Sequence, residues 1–493
     1  LEVSCSWLLS AQYLYRTLRK ASNHRFPMRF LPPEPEVILY ETVFDNDILG
    51  RESVSKSLSA LLDRIEDPLV IALDGPWGSG KSYFLKRWVG AHREQNNGKA
   101  LTLYFDAFAN DYLSDPMVAL LSALTDRIPA EDACKLKQLK TTASKFVKPL
   151  ARIGLSMITF GAKATLDELG GALVEASHSE ARNLVDDFWS HEEGRQKAMQ
   201  DFRVALTELI EGSNPNHPTP LVIVIDELDR CRPDYALEIL EVVKHFFAVP
   251  MVHFVLGVNL ASLENSVKAR YGPEADATAY LQKFISLTFT LPDEVVNRAS
   301  PVQVPAVLAY AKSAAQNMGF KRDYSIYFEK FVYPQLKGVI RRNRVSIRDV
   351  GKILGAVAIL PSSATATTVG DGRRYISSIS SSMLIARVVR KDVFSKMLAS
   401  SLTNDELRTY LDATPRTIDK KSSGGSDNPD YHEPTWELYQ LWQLILSDGV
   451  AKFDGAVELK KSLGQFCDLR GFGEIPKIIF DDWLNNFEFL DDT

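Results

Sequence analysis

Cysteine is scarce in this chain of 493 residues, with four in all, and histidine numbers only eight. Cys5, Cys134, Cys231 and Cys467 stand far apart, with neither CxxC spacing nor a neighbouring histidine. That excludes a disulfide framework and a cysteine-based zinc site, and the four read as free thiols of a reducing cytoplasm. Cys231 reads as a small buried packing residue. Positive charge is not in excess either, since 57 Lys and Arg face 63 Asp and Glu for a formal charge of −6. No broad electrostatic grip on nucleic acid is expected. Long apolar runs are also missing. Ile153 to Ala162 is apolar, but Arg152 and Lys163 bracket it, well short of the roughly twenty residues a spanning helix needs. Ile353 to Gly370 is uncharged for longer, yet its second half is Pro, Ser, Thr and Ala, so a buried helix ending near Leu360 and a loop are expected. The protein is expected in the cytoplasm, with membrane contact at most peripheral, through residues 145–175 at the inner face.

The chain does not start with Met, and Trp7 to Lys20 has the spacing of an amphipathic helix, not of a signal peptide. Residues 1–40 read as an extension and a Pro-rich linker, Leu31-Pro32-Pro33-Glu34-Pro35, with Met28 as a natural start. With 45% hydrophobic and 24% charged residues the rest is ordinary globular protein, long enough for two or three domains.

What the chain does contain is Gly75-Pro76-Trp77-Gly78-Ser79-Gly80-Lys81-Ser82, between the apolar run Leu69 to Leu73 and a helical stretch from Tyr83 to Val89. This is a phosphate-binding loop. Glycines let successive N–H groups turn around anionic oxygens, and the helix that follows presents its positive end. Lys81 reaches the β- and γ-phosphates, and the Ser82 hydroxyl ligates Mg²⁺. The segment Gly75 to Tyr83 is expected to line the nucleotide. The four fixed positions arise by chance in a chain this long only about once in fifty.

Further strands follow. Ala100 to Phe105 ends in Asp106-Ala107-Phe108-Ala109-Asn110, Leu221 to Ile225 ends at Asp226-Glu227, Val252 to Val258 ends at Asn259, and Ile285 to Leu291 is closed by Pro292. Strands alternating with helical stretches predict an α/β fold, an open parallel sheet with its ligand at the carboxyl ends of the strands. The P-loop core is expected over 41–115 and 216–295, with a large helical insertion, 116–215, between its second and third strands. A helical C-terminal region runs over 296–418, and a last helical piece over 436–493. In that piece the aromatic and leucine stripe from Trp436 to Trp442 reads as core packing. From Trp436 to Thr493 eleven acidic residues face five Lys and Arg, which reads as a solvated face.

Asp226 and Glu227 stand where a nucleotide hydrolase needs two carboxylates with different tasks. Asp226 is expected to hold Mg²⁺ through water, and Glu227 to orient and deprotonate the attacking water. Asn259 is either a ligand of the γ-phosphate or that water, or a plain turn former. Arg348, in Ser346-Ile347-Arg348-Asp349, is the preferred arginine for charge on the transferred phosphoryl group over Arg230 and Arg232, with a structural ion pair as its alternative. Arg341, Arg342 and Arg344 read as a solvated loop. Ile48 and Leu49 read as packing for an adenine base, or else the segment is helix capping by Asp47 or Arg51 ahead of Ser53 to Ile65.

The phosphate loop, the strand ending Phe105-Asp106-Ala107-Phe108, the string Ile225-Asp226-Glu227-Leu228-Asp229-Arg230-Cys231, Tyr280 to Phe284 ahead of Leu291-Pro292, and Ser346 to Asp349 together resemble the KAP P-loop NTPases. The resemblance runs from about Asp45 to Ser400. It implies an ATPase core of the additional-strand type, Glu227 as the catalytic glutamate, and a helical insertion that carries transmembrane helices in many relatives. Two departures stand out: no adequate apolar run in the insertion, and Asp106 and Phe108 where the family has Asn and Trp. Bacterial relatives act in phage exclusion and antiphage operons, so antiphage defence is an expectation.

The leading function is a Mg-ATP hydrolase, since no guanine-reading Asn/Thr-Lys-x-Asp motif occurs, whose turnover switches or assembles helical parts with protein partners encoded nearby or as a homo-oligomer. Two alternatives stand beside it: a nucleotide-gated scaffold with little turnover that recruits an effector, and a P-loop kinase acting on a small molecule.

Overall fold

In the computed structural model the described residues are 28–96, 101–127, 192–211, 220–296, 303–365, 370–413, 434–464 and 471–484, without 34, 46, 114, 115, 126, 247 and 454. The expected helix Trp7 to Lys20, most of the helical insertion and its apolar run Ile153 to Ala162, and Cys5, Cys134 and Cys467 lie outside them. The described residues fall into two compact units, one of Pro35–Ala309 with Ser346–Arg348, the other of the remainder.

The first unit is built on a parallel five-stranded sheet of order β2-β3-β4-β1-β5, with strands β1 (Val70–Asp74), β2 (Leu101–Asp106), β3 (Leu221–Asp226), β4 (Val252–Val258) and β5 (Leu287–Thr290). β3 and β4 are buried along their whole length, which is why β3 reads as an apolar run up to Asp226 and β4 as one broken only by His253. The alternation still governs which layer each side chain joins. Val222 and Val224 face the layer of helices α1 (Glu52–Leu62) and α2 (Lys81–Gln95), with Phe84, Leu85 and Trp88. Leu221, Ile223 and Ile225 face the opposite layer, made by α3 (Pro116–Thr125), α4 (Glu192–Glu211), α5 (Pro233–Phe246) and α6 (Leu260–Tyr271). At about 1.5 to 3 kcal/mol per fully buried large aliphatic or aromatic side chain, these two layers are the main force holding the sheet in place.

Register brings the carboxyl ends together. Asp106 pairs with Asp226, Asp226 with Gly257, and Leu73 with Gly257, so β1, β2, β3 and β4 end side by side. Gly257 is required there, because a Cβ at that position would lie 2.3 Å from Asp226 Oδ1. β5 is shorter than the expected Ile285 to Leu291 and largely exposed, since as the last strand it pairs with β1 alone. A short antiparallel pair, β6 (Glu294–Val296) and β7 (Gln303–Pro305), follows it.

The second unit is helical among its described residues. Its helices include α7 (Ile347–Ala358), whose first two residues belong to the other unit, α8 (Gly370–Val389) and α9 (Pro434–Leu446). α7 ends two residues short of the expected Leu360. In α9 Leu438, Leu441, Trp442, Leu444 and Ile445 are buried, as core packing requires. The serines of α8 do not open it to water: Ser382 accepts from Trp442 Nε1 at 2.8 Å and Ser380 bonds the Tyr327 hydroxyl at 2.7 Å. Arg341 and Arg342 are not simply solvated, because both reach Asp412, at 3.8 and 2.6 Å. Among the described residues no helix is long and apolar enough to cross a membrane.

Candidate nucleotide-binding site

The loop between β1 and α2 turns on Gly78 and Gly80, both in the left-handed region at φ 81° and 84°, where an L side chain is strained. Its carbonyl groups are tied outward. Lys81 Nζ donates to Gly75 O at 2.6 Å and Pro76 O at 3.2 Å, and Ile347 N–H donates to Gly78 O at 3.1 Å. Arg51 Nη2 donates to Ser79 O at 2.7 Å and Arg51 Nη1 to Gly80 O at 3.0 Å. The first N–H groups of α2 have no partner within the helix and form, with its dipole, an anion cradle. The Ser79 hydroxyl is buried without a hydrogen-bond partner.

Lys81 is buried, and desolvation lowers its pKa while Asp229, Asp226 and Asp74 pull it back up.

Asp226 is buried at the end of β3 and held by the Tyr104 hydroxyl at 2.7 Å and by the Glu227 N–H at 2.9 Å, with the Ser82 hydroxyl of the phosphate loop near enough to lower its pKa. Burial raises its pKa against those bonds. Glu227 sits in the left-handed region at φ 59°, which turns its side chain out of the strand. Its Oε1 forms an ion pair with Arg230 Nη1 at 3.1 Å. Burial raises its pKa and Arg230 lowers it in part.

Trp77 is half exposed and donates from Nε1 to Asp229 Oδ2 at 2.7 Å, joining the phosphate loop to the turn after Glu227. Asn259 precedes α6, and its side chain makes no capping bond, so the turn there is carried by its backbone. The backbone of Leu260 is anchored instead by Asp74 Oδ1 at 2.9 Å. Arg348 is exposed at the start of α7, with no ion pair among the described residues, and its Cβ would lie 3.0 Å from a Cβ built on Gly78. Arg230 and Arg232 are engaged, by Glu227 and by Asp111. Cys231 is buried, its thiol pushed up to about 12 mainly by desolvation, and is inert.

At the upstream segment the Asp47 carboxylate caps α1, accepting from Leu49 N–H at 3.2 Å and Glu52 N–H at 2.7 Å. Leu49 is buried and Ile48 exposed. Arg51 makes no capping bond and reaches the phosphate loop. Neither that contact nor the Tyr104 bond is visible in local sequence, because both cross between segments far apart in the chain.

The donors suit Mg²⁺ with a nucleotide. Among the described residues no cluster of three or more His, Cys, Asp or Glu forms a metal cage, whereas one hydroxyl and one buried carboxylate are the hard oxygen donors that bind Mg²⁺ together with phosphate oxygens and water.

The model of the KAP family P-loop domain matches residues 51–364. The chain belongs to the KAP family. As a KAP protein it carries a nucleotide-binding P-loop on an open parallel sheet. Among solved structures, the ADP form of ORC2 from Aeropyrum pernix aligns at TM-score 0.29 and 12% identity, over 89% of this chain and 87% of that one. The same protein with ADPNP and ADP aligns at 0.27 and 14%, over 88% and 96%. Neither score is high enough to bear on the site. The search of curated proteins gave no match.

Proposed function

We propose that this KAP protein is a Mg²⁺-dependent ATP hydrolase whose turnover drives conformational switching or assembly with protein partners, in the antiphage setting that the family resemblance suggests. One observation carries the reading: the hydroxyl of Ser82 in the phosphate loop lies near enough to the buried strand-end Asp226 to lower its pKa, so the two halves of a Mg-nucleotide site meet. Mg²⁺, when bound with the nucleotide, would neutralise negative charge on the phosphate chain.

The chain's own groups then divide the work. The loop amides and Lys81 hold the phosphates. Ser82 and Asp226 would hold the metal. Glu227 Oε1 is paired with Arg230, so Oε2 takes the proton of the attacking water. Asn259, whose side chain makes no capping bond, is then left to hydrogen-bond that water or the γ-phosphate. Arg348 supplies a positive charge beside Gly78 that can neutralise charge on the phosphoryl group in flight.

Calorimetry and phosphate release test this. Lys81→Ala is expected to abolish Mg-ATP binding. Glu227→Gln is expected to keep binding and lose turnover by about a hundredfold or more. Hydrolysis by the Gln variant at the parental rate would remove Glu227 as the base.

The Arg230 pair favours a second reading. By lowering the basicity of Glu227 it suits a nucleotide-gated scaffold with slow turnover. Partner exchange between ATP and ADP with almost no phosphate released would select it.

A further inference from the structure

We infer that Arg51 is a positioning residue for the phosphate loop, a guanidinium brace behind Ser79 and Gly80 that turns the loop's amides toward a polyphosphate. The inference rests on the nucleotide-binding reading and adds to it a residue outside the loop and outside the carboxylate pair.

Arg51 is only 3% exposed. A buried guanidinium without partners is costly, and the natural solution would be a carboxylate. Among the described residues no acidic group is within ion-pair distance of it, although Asp47 and Asp293 are near enough to act through space. Its two terminal nitrogens are spent on consecutive carbonyl oxygens, Ser79 O at 2.7 Å and Gly80 O at 3.0 Å, and its Nε is buried without a partner. Burial lowers its pKa to about 10, so it remains charged at neutral pH.

The geometry of the peptide unit gives this contact its consequence. In a trans peptide the C=O and the following N–H point in opposite directions. Drawing the Ser79 and Gly80 carbonyls toward Arg51 therefore turns the N–H groups of Gly80 and Lys81 the other way, to the side where the phosphates bind. The close approach also explains Gly80. A Cβ there would lie 2.8 Å from Arg51 Nη1, over and above the strain of φ 84°. The planar fork can bridge two carbonyls at fixed separation, and a lysine ammonium cannot do so in the same geometry.

Arg51→Lys and Arg51→Gln, with the parent, are to be titrated with Mg-ATP, Mg-ADP and adenosine by calorimetry, followed by steady-state hydrolysis. Both variants are expected to weaken Mg-ATP and Mg-ADP together, by about tenfold or more, with adenosine unchanged. KM should rise while kcat at saturation stays within about threefold. Hydrogen exchange of residues 76–82 in the nucleotide-free protein should speed up in Arg51→Lys, which keeps the charge and so serves even where Arg51→Gln fails to fold. Parental affinity and parental exchange in Arg51→Lys would overturn the brace and leave the nucleotide reading intact. Absence of any binding by the parent would overturn both.

Discussion

The Tyr104 hydroxyl reaches from β2 across to β3 and donates to Asp226 Oδ2 at 2.7 Å. Tyr104 pairs in register with Val224, two residues before Asp226, so the phenol leans along the sheet to meet the strand-end carboxylate. Burial and the adjacent negative charges drive the phenol's pKa far up, so it remains a donor at any working pH.

Tyr104→Phe removes that donor and nothing else of size. A hydrogen bond to a charged group is worth about 1.5 to 3 kcal/mol, and thermal or denaturant unfolding should register a loss of that order. The Mg²⁺ concentration needed for half-maximal hydrolysis should rise several-fold, because Asp226 then lacks one of the bonds that orient it. An unchanged Mg²⁺ requirement would mean that Tyr104 serves the fold alone.

Arg230→Ala should move the acid limb of the pH–rate profile. Burial already raises the pKa of Glu227, and Arg230 counters that rise. Removing the arginine leaves the rise uncompensated, so the carboxylate stays protonated to higher pH and the limb shifts upward. A base must be ionised to work, hence activity at mildly acidic pH falls first. Measuring kcat from pH 5 to pH 8 decides it, and a limb that stays in place separates Glu227 from the titration.

Two buried histidines predict how stability depends on pH. His92 and His253 are fully buried, and desolvation lowers both pKa values from the ordinary 6.5, with Asp63 opposing the shift at each and His92 adding to it at His253. The native state then binds fewer protons than the unfolded one below pH 6.5, so stability is present above that pH and falls as the pH drops through the folded values. Melting temperature measured from pH 8 to pH 5 should decline over the acidic half. His253→Leu should flatten that decline, and an undiminished slope would assign it to other groups.

Legibility in the sequence followed distance along the chain. The phosphate loop is written within eight residues, and Asp226-Glu227 is announced by the apolar strand it ends, so both are local patterns. β5 was expected too long because its apolar residues look alike whether they pair on one side or two, and only the sheet order makes it an edge. Arg51 and Asp47 sit four residues apart and were candidates for the same cap. The carboxylate took that role by accepting N–H groups, for which a guanidinium has no acceptor, and the arginine was left to seek carbonyls. Tyr104 gave no signal, because alternation says that it points inward and cannot say which carboxylate it meets.

Ile347 lends its amide to Gly78 O although most of its helix belongs to the other unit. A fragment ending at Ala309 would carry every residue of the phosphate loop and still lack one of its hydrogen-bond donors. Whoever trims this protein to its smallest intact P-loop core has to keep a tripeptide from nearly forty residues further along.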